Sequence, residues 1–305
     1  MWRHTGKLLL ATSILCVVLV PSPVRAQNAR VDKDWAALDR ALGRPGKAQP
    51  GDVQKYSFPR GDLRVTVGDV TVKPALALGS WVAFKRTGRS NGAAMAMGDL
   101  VLTEAELPAV LSKLQDGGVR QTALHNHLQR ESPKIMYLHI EGHGDPVRLG
   151  ETIRAALATT KTPPPSPATL SALELDTAAL AKALGRPGTA NGGVYQVSVP
   201  RAAPIKAGGM EVPPAMGVAT AINFQPTGGG KAAITGDFVL TADEVNPVLR
   251  TLERQGIAVT ALHGHMLTEE PRLLFMHFWA NDDALRLARG LRTALDQTKS
   301  KAAGS

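Results

Sequence analysis

One stretch of the chain occurs twice, and it restricts the fold more than any other feature of the sequence. Thr122-Ala-Leu-His-Asn-His-Leu followed by Tyr137-Leu-His139 returns as Thr260-Ala-Leu-His-Gly-His-Met followed by Phe275-Met-His277. Around it, Gly98 to His139 aligns with Gly236 to His277 without a gap at an offset of 138, and 18 of those 42 positions are identical. Such identity over an ungapped run means duplication, so the 305 residues form two equivalent units rather than one large domain.

Each copy reads as two short strands joined by a tight loop, Arg130 to Pro133 in the first and Thr268 to Pro271 in the second. Side chains alternate along a strand, so His125 and His127 share one face while Leu124, Asn126 and Leu128 take the other. On the returning strand Met136, Leu138 and Ile140 make an apolar face, as do Leu274, Met276 and Phe278 in the second copy. Pairing that face with Leu124 and Leu128 puts His139 beside His125 and His127, and it requires a loop of odd length. Opposed side chains then lie roughly 5 Å apart at Cβ, near enough for three imidazoles to converge on one ion.

The candidate metal ligands are therefore His125, His127 and His139 in one unit and His263, His265 and His277 in the other. Neutral imidazoles with no thiol nearby suit zinc or copper. The alternative is a half-exposed polar face whose imidazoles bond to one another, to Asp99 or to water. Asp99 and Asp237 stand at matching places from which to orient a histidine. Glu131 and Glu269, at the loop tips, are candidate general bases for a metal-bound water and are equally well explained as turn chemistry. His143 has Asn281 as its counterpart and falls outside the shared pattern.

The remaining pattern is α+β. A short helix from Asp34 to Leu42 is followed by strand-like runs at Val53–Phe58, Leu63–Val67, Leu76–Lys85 and Ala93–Leu102. Their counterparts are Val194–Val199, Ile205–Met210, Met216–Phe224 and Lys231–Leu240. Thr103 with Glu106, and Thr241 with Glu244, predict capping boxes that open a second helix. Asp145-Pro146 and Asp282-Asp283 open a third. The expected fold is two homologous repeats, each a mainly antiparallel sheet with helices on one face, packed as a pseudo-twofold pair. Phe275 and Trp279 lie on the histidine face where the first copy has Tyr137 and Glu141. That added aromatic surface makes this face the expected contact between the repeats, and the second site is expected to be drier, with histidines that titrate lower.

The chain opens with Arg3, His4 and Lys7, an apolar run from Leu8 to Val20, and Val24 and Ala26 before a cleavage point. That order predicts a secretory signal peptide over 1–26 and an exported mature chain beginning near Gln27, periplasmic or secreted. The run is too short to span a bilayer, so no transmembrane segment is expected in the mature chain. Cys16, the one cysteine, lies inside the signal with Leu15 before it, which argues against a lipid anchor and leaves no thiol chemistry. The expected divisions are repeat 1 at 27–160, a Pro-rich linker at 161–170, repeat 2 at 171–299 and a disordered tail at 300–305.

Net charge is +9, and +6 once Arg3, Lys7 and Arg25 are removed. That excess is thinly spread among few aromatics. It excludes a nucleic-acid footprint and leaves an anionic envelope component or a small ligand as partner. No phosphate loop, nucleophile elbow, cysteine pair or His-Glu-x-x-His helix is present, so no nucleotide or organic cofactor is indicated.

At Ala123-Leu-His-Asn-His and Ala261-Leu-His-Gly-His the sequence resembles the LppY/LpqO-like family of exported bacterial proteins of unknown function. Their domain carries a Leu-His-x-His strand followed by a Leu-His strand. The resemblance covers about residues 34–159 and 175–298 and implies two tandem copies, but no reaction. Three functions follow from the residues: an exported transition-metal-binding protein, a metal-dependent hydrolase or other metalloenzyme, and a non-catalytic envelope or polymer interaction module.

Overall fold

The structure is a computed structural model that describes residues 1–2, 35–88, 92–166 and 172–302. The expected signal peptide lies outside the described residues apart from its first two, and so does the linker from 167 onward. Among the described residues no helix is long and apolar enough to cross a membrane.

The first unit runs α1 (residues 35–42), β1 (Lys47–Gln49), β2 (Val53–Pro59), β3 (Val65–Val67), β4 (Val70–Val72), a helical turn α2 (Pro74–Ala77), β5 (Gly79–Arg86), β6 (Ala94–Thr103), α3 (Leu107–Asp116), β7 (Arg120–His125), β8 (Glu131–Ser132), β9 (Ile135–Gly144) and α4 (Pro146–Leu157). The second repeats this order: α5 (Thr177–Leu184), β10 (Thr189–Asn191), β11 (Val194–Pro200), β12 (Ile205–Ala207), β13 (Met210–Val212), a 3-10 turn (Pro214–Met216), β14 (Ala219–Gly228), β15 (Lys231–Leu240), α6 (Ala242–Arg254), β16 (Ala258–His263), β17 (Glu269–Glu270), β18 (Leu274–Asp283) and α7 (Ala284–Leu295). Each unit has a six-stranded antiparallel sheet, ordered β1-β2-β5-β6-β9-β7 or β10-β11-β14-β15-β18-β16, and a small three-stranded sheet.

The strand β6 explains the layering. Its sequence Ala-Met-Ala-Met-Gly-Asp-Leu-Val-Leu is apolar on both faces apart from Asp99, and all of these residues are buried. A strand of that kind needs cover on both sides. On one face Leu100, Leu102, Leu138 and Ile140 pack beneath helix residues such as Leu38, Val110 and Ile153. On the other face the two sheets cover each other. Val53, Met95 and Met97 meet Met216, Met266 and Phe275, while Val101, Leu128 and Tyr137 meet Val194, Ala233 and the partly buried Trp279. Each large apolar side chain buried there contributes about 1.5–3 kcal/mol.

Polar groups lock the same contact. Gln225 of the second unit accepts from Lys73 N at 2.8 Å and donates to Thr71 O at 2.8 Å, and Gln196 donates to Ala75 O at 2.8 Å. The repeats form a pseudo-twofold pair, as their sequences lead one to expect.

Several local expectations need correction. Leu76–Lys85 is not one strand, because Pro74 opens the turn α2 and β5 begins only at Gly79. Ile205–Met210 is two strands, β12 and β13, reversed at Gly208 and Gly209 with φ of +55° and +77°. The edge strands β1 and β10 were not legible, having only three residues each, largely exposed. The expected tight loop is a wider excursion. The strand β7 ends at His125, and the chain leaves the main sheet to place β8 against β3 before β9 begins at Ile135. The register still holds, with His125 opposite Tyr137 and Leu124 opposite Leu138, because an odd number of residues separates each pair. Leu128 crosses to the inter-sheet core, since it belongs to the excursion rather than to the strand. At the start of the expected tail, Ser300 bridges Arg201 and Lys301 N donates to Pro200 O at 2.8 Å; residues 303–305 lie outside the described residues.

A buried arginine in each unit went unread in the sequence. Arg60 has no exposure, and its guanidinium donates to Glu106 at 2.9 Å, to Asp62 and to Val101 O. Arg201 repeats this with Glu244 at 2.7 Å and Val239 O at 2.7 Å. Glu106 and Glu244 are thus structural. Each also reaches back to the N–H of its threonine, and the full capping box forms at Thr241.

Candidate metal centre

Both triads form, and they form against each other. In the first unit His125 lies 5.0 Å, ring centre to ring centre, from both His127 and His139. In the second, His263 lies 4.9 Å from both His265 and His277. The register places His139 opposite Ala123 and His277 opposite Ala261, on the face that meets the other sheet. Across the contact, His125 packs on His263 at 3.7 Å, His139 on His265 at 3.7 Å and His127 on His277 at 4.0 Å. Under the duplication His125 maps to its own neighbour His263, and the other two contacts exchange. The pseudo-twofold axis therefore passes through the histidines.

The nitrogen atoms converge with the rings. Ligand atoms of His125, His127 and His139 lie within 4.8 Å of one another, as do those of His125, His263, His265 and His277. His125 Nδ1 lies 3.4 Å from Asn126 O, and His263 Nδ1 lies 3.3 Å from Gly264 O. A carbonyl only accepts, so Nδ1 carries the proton at these two rings and the Nε2 lone pair is left free. All six Nε2 atoms are buried without a hydrogen-bond partner. A polar atom left so costs about 1–3 kcal/mol, which makes six in one place an expensive arrangement unless something binds them.

Burial first, and neighbouring imidazoles second, push the histidines down: His125 to about 3, and His127, His139, His265 and His277 well below the usual range. Burial also lowers His263. The rings are neutral at pH 7, the form that ligates. The second set is the drier by exposure, with His265 and His277 buried where His127 is half-buried, but the two sets of rings interleave in one desolvated volume and do not form separate sites.

Carboxylates back the centre. Asp99 is buried with Oδ1 3.9 Å from His139 Nε2, beyond hydrogen-bond reach. Removal from water, and then the charge of Asp237, raise Asp99 to about 7, and removal from water raises Asp237 to about 7. Lys55 is pushed down to about 8 by burial, against the pull of both carboxylates; its Nζ sits 4.0 Å over the Trp81 ring and donates to Ala215 O.

Glu131 and Glu269 stand outside both nitrogen groups. Each is buried and accepts from the backbone at the end of its excursion, Glu131 from Ile135 N at 3.1 Å and Glu269 from Leu273 N at 3.0 Å. Oε2 of Glu269 meets Arg272 at 3.3 Å, whereas Oε2 of Glu131 has no partner and burial raises that carboxyl to about 7. His143 lies apart, bonded to Glu141 at 2.7 Å.

A small cavity of about 10 Å³ opens beside His139 and His265, lined also by Trp81, Met97, Met216, Met266 and Phe275. That is room for about one water or one ion. The sequence reading did not single out this lining. Its one visible trace was Met95-Ala-Met97, two thioethers on one face of a strand.

A family model described as "Domain of Unknown Function (DUF1259)" matches residues 36–159 and again 178–297. No curated protein matches the chain. Among solved structures, a double-ringed trimeric shell protein from the RMM microcompartment is 14% identical with a TM-score of 0.20, over 67% of this chain and 82% of that one. A trimeric bacterial microcompartment shell protein, PduB, is 16% identical with a TM-score of 0.20, over 82% of this chain and 90% of that one. Likeness at that score carries no argument.

Proposed function

The chain belongs to the DUF1259 family, whose function is unknown, and carries its domain twice; from that premise we propose that it is a transition-metal-binding protein whose site is the six-histidine centre between the copies. The observation that carries the reading is the set of six buried Nε2 atoms without partners. The donors His125, His127, His139, His263, His265 and His277 are neutral and borderline-soft, which suits zinc and copper and disfavours calcium and magnesium. We further identify the copies with the LppY/LpqO-like proteins, on Ala123-Leu-His-Asn-His and Ala261-Leu-His-Gly-His, and take the mature chain to be exported after cleavage near Ala26. Metal analysis of mature protein exposed to zinc and to copper tests the reading. At least one equivalent per chain of one of the two metals is expected, and less than half an equivalent of both sinks it.

A second reading, a metal-dependent hydrolase with Glu131 as general base, draws on the free Oε2 of Glu131 and its carboxyl raised to about 7. The cavity beside the histidines limits it, since only about one water fits there. Turnover of small ester or amide substrates by zinc-loaded protein, lost in Glu131→Gln, is the result that would raise it above simple binding.

A further inference from the structure

The histidines are duplicated; the wall beside them is not. Met97, Met216 and Met266 line the cavity next to His139 and His265, together with Trp81. Five of the chain's eight methionines, Met95, Met97, Met210, Met216 and Met266, gather in the one inter-sheet cluster that holds this cavity. The equivalent positions in the other copy carry Thr235 for Met97, Leu76 for Met216, Leu128 for Met266 and Ala221 for Trp81. Leu76 and Leu128 are buried there as fully as the methionines are here. The shared fold therefore packs without thioethers, and packing alone does not explain three of them around one cavity.

His139 and His265 come from different copies, stack at 3.7 Å, and each presents a buried Nε2 without a partner. We infer that this cavity is a cuprous-ion site, in which Nε2 of His139 and His265 and the thioethers of Met97, Met216 and Met266 hold Cu(I). Thioether sulfur is a soft donor and selects Cu(I) over Zn(II). Every one of these ligands is uncharged, and the cost of taking an ion out of water grows with the square of its charge, so a monovalent ion is favoured over a divalent one. The volume admits an ion and no organic ligand. The inference rests on the histidine centre binding metal and adds which metal, where, and through which second set of ligands.

The test is competition of the mature protein against a chromogenic Cu(I) chelator under ascorbate, with Zn(II) titrated in parallel. Met97→Leu/Met216→Leu/Met266→Leu keeps apolar volume close to native. It is expected to weaken Cu(I) by about tenfold or more and to leave Zn(II) unmoved. X-ray absorption on copper-loaded wild-type protein, which needs no variant to fold, is expected to show sulfur in the copper shell. Unchanged Cu(I) affinity in the triple variant, or a copper shell of nitrogen alone, overturns the thioether site while leaving the histidine centre standing. Wild type that takes Zn(II) and not Cu(I) also overturns it. Failure to bind either ion removes the histidine reading itself.

Discussion

The two ends of the histidine centre make a comparison that evolution has set up within one chain. At one end His139 and His265 stack beside Met97, Met216, Met266 and Trp81. At the other His127 and His277 stack beside Tyr137, and the positions equivalent to the three methionines and the tryptophan carry Thr235, Leu76, Leu128 and Ala221. The donors common to both copies are the imidazoles, so the capacity to ligate belongs to the repeated unit. The softness of the wall belongs to one end only, so any preference among ions must arise there. Trp81 of the first unit and Met216 of the second build that end jointly, which makes its character a property of the pair.

The largest effect should fall where the copies do not differ. Arg60→Met strands Glu106, and Arg201→Met strands Glu244, each with its side chain at most 10% exposed. Either change should cost about 3–5 kcal/mol in denaturant unfolding. A cost from one copy alone would break the view that the repeats share a frame and diverge only at the centre.

Next come the imidazoles. His139→Ala with His265→Ala should lower Cu(I) affinity more than about 100-fold, and His127→Ala with His277→Ala clearly less, in the same chelator competition. Equal losses would mean that the centre has no soft end.

Glu131 offers a pH-dependent contrast with Glu269. Burial raises the Glu131 carboxyl to about 7, above the roughly 4.3 of an unfolded chain, so its contribution to stability is present below about pH 4.3 and is lost as pH rises through 7. Glu131→Gln, which cannot ionise, should therefore gain roughly 2 kcal/mol on wild type between pH 5 and pH 8 in metal-free protein. The same change at Glu269 removes the partner of Arg272 and should lower stability instead. A pH-independent difference between Glu131→Gln and wild type would count against the buried, unpartnered carboxylate.

The smallest effect is expected at Gly217. It takes φ +90°, and a Cβ there would meet the Trp81 ring at 2.7 Å, whereas its counterpart in the first unit is Ala77. Gly217→Ala should cost about 1 kcal/mol and shift Trp81 fluorescence. No shift would show that the tryptophan is not held against this turn.

Read alone, the sequence determined a good deal. The ungapped match from Gly98 to His139 established duplication. The period of two along β7 and β9, joined by an odd number of residues, placed His125 and His139 on one face and Leu124 and Leu138 on the other, whereas His127 lies in the excursion beyond β7. Excursions such as 126–134 escaped because two-residue strands like β8 have too few side chains to show a period. Arg60 and Arg201 escaped because a lone arginine in a loop looks like a solvated one until its carboxylate is seen beneath it. The aromatic surface that Phe275 and Trp279 add to the histidine face marked it as the contact between the repeats, and only the tertiary structure decided how closely the two triads meet there. Periodicity says which face of a strand is polar and which is apolar, but it does not state which residues of the other unit arrive opposite. Once the sheets close on each other, two triads become one desolvated centre of neutral imidazoles, and methionines distant in the chain arrive at one end of it. That last step depends on contacts between residues more than a hundred positions apart, which local pattern does not carry.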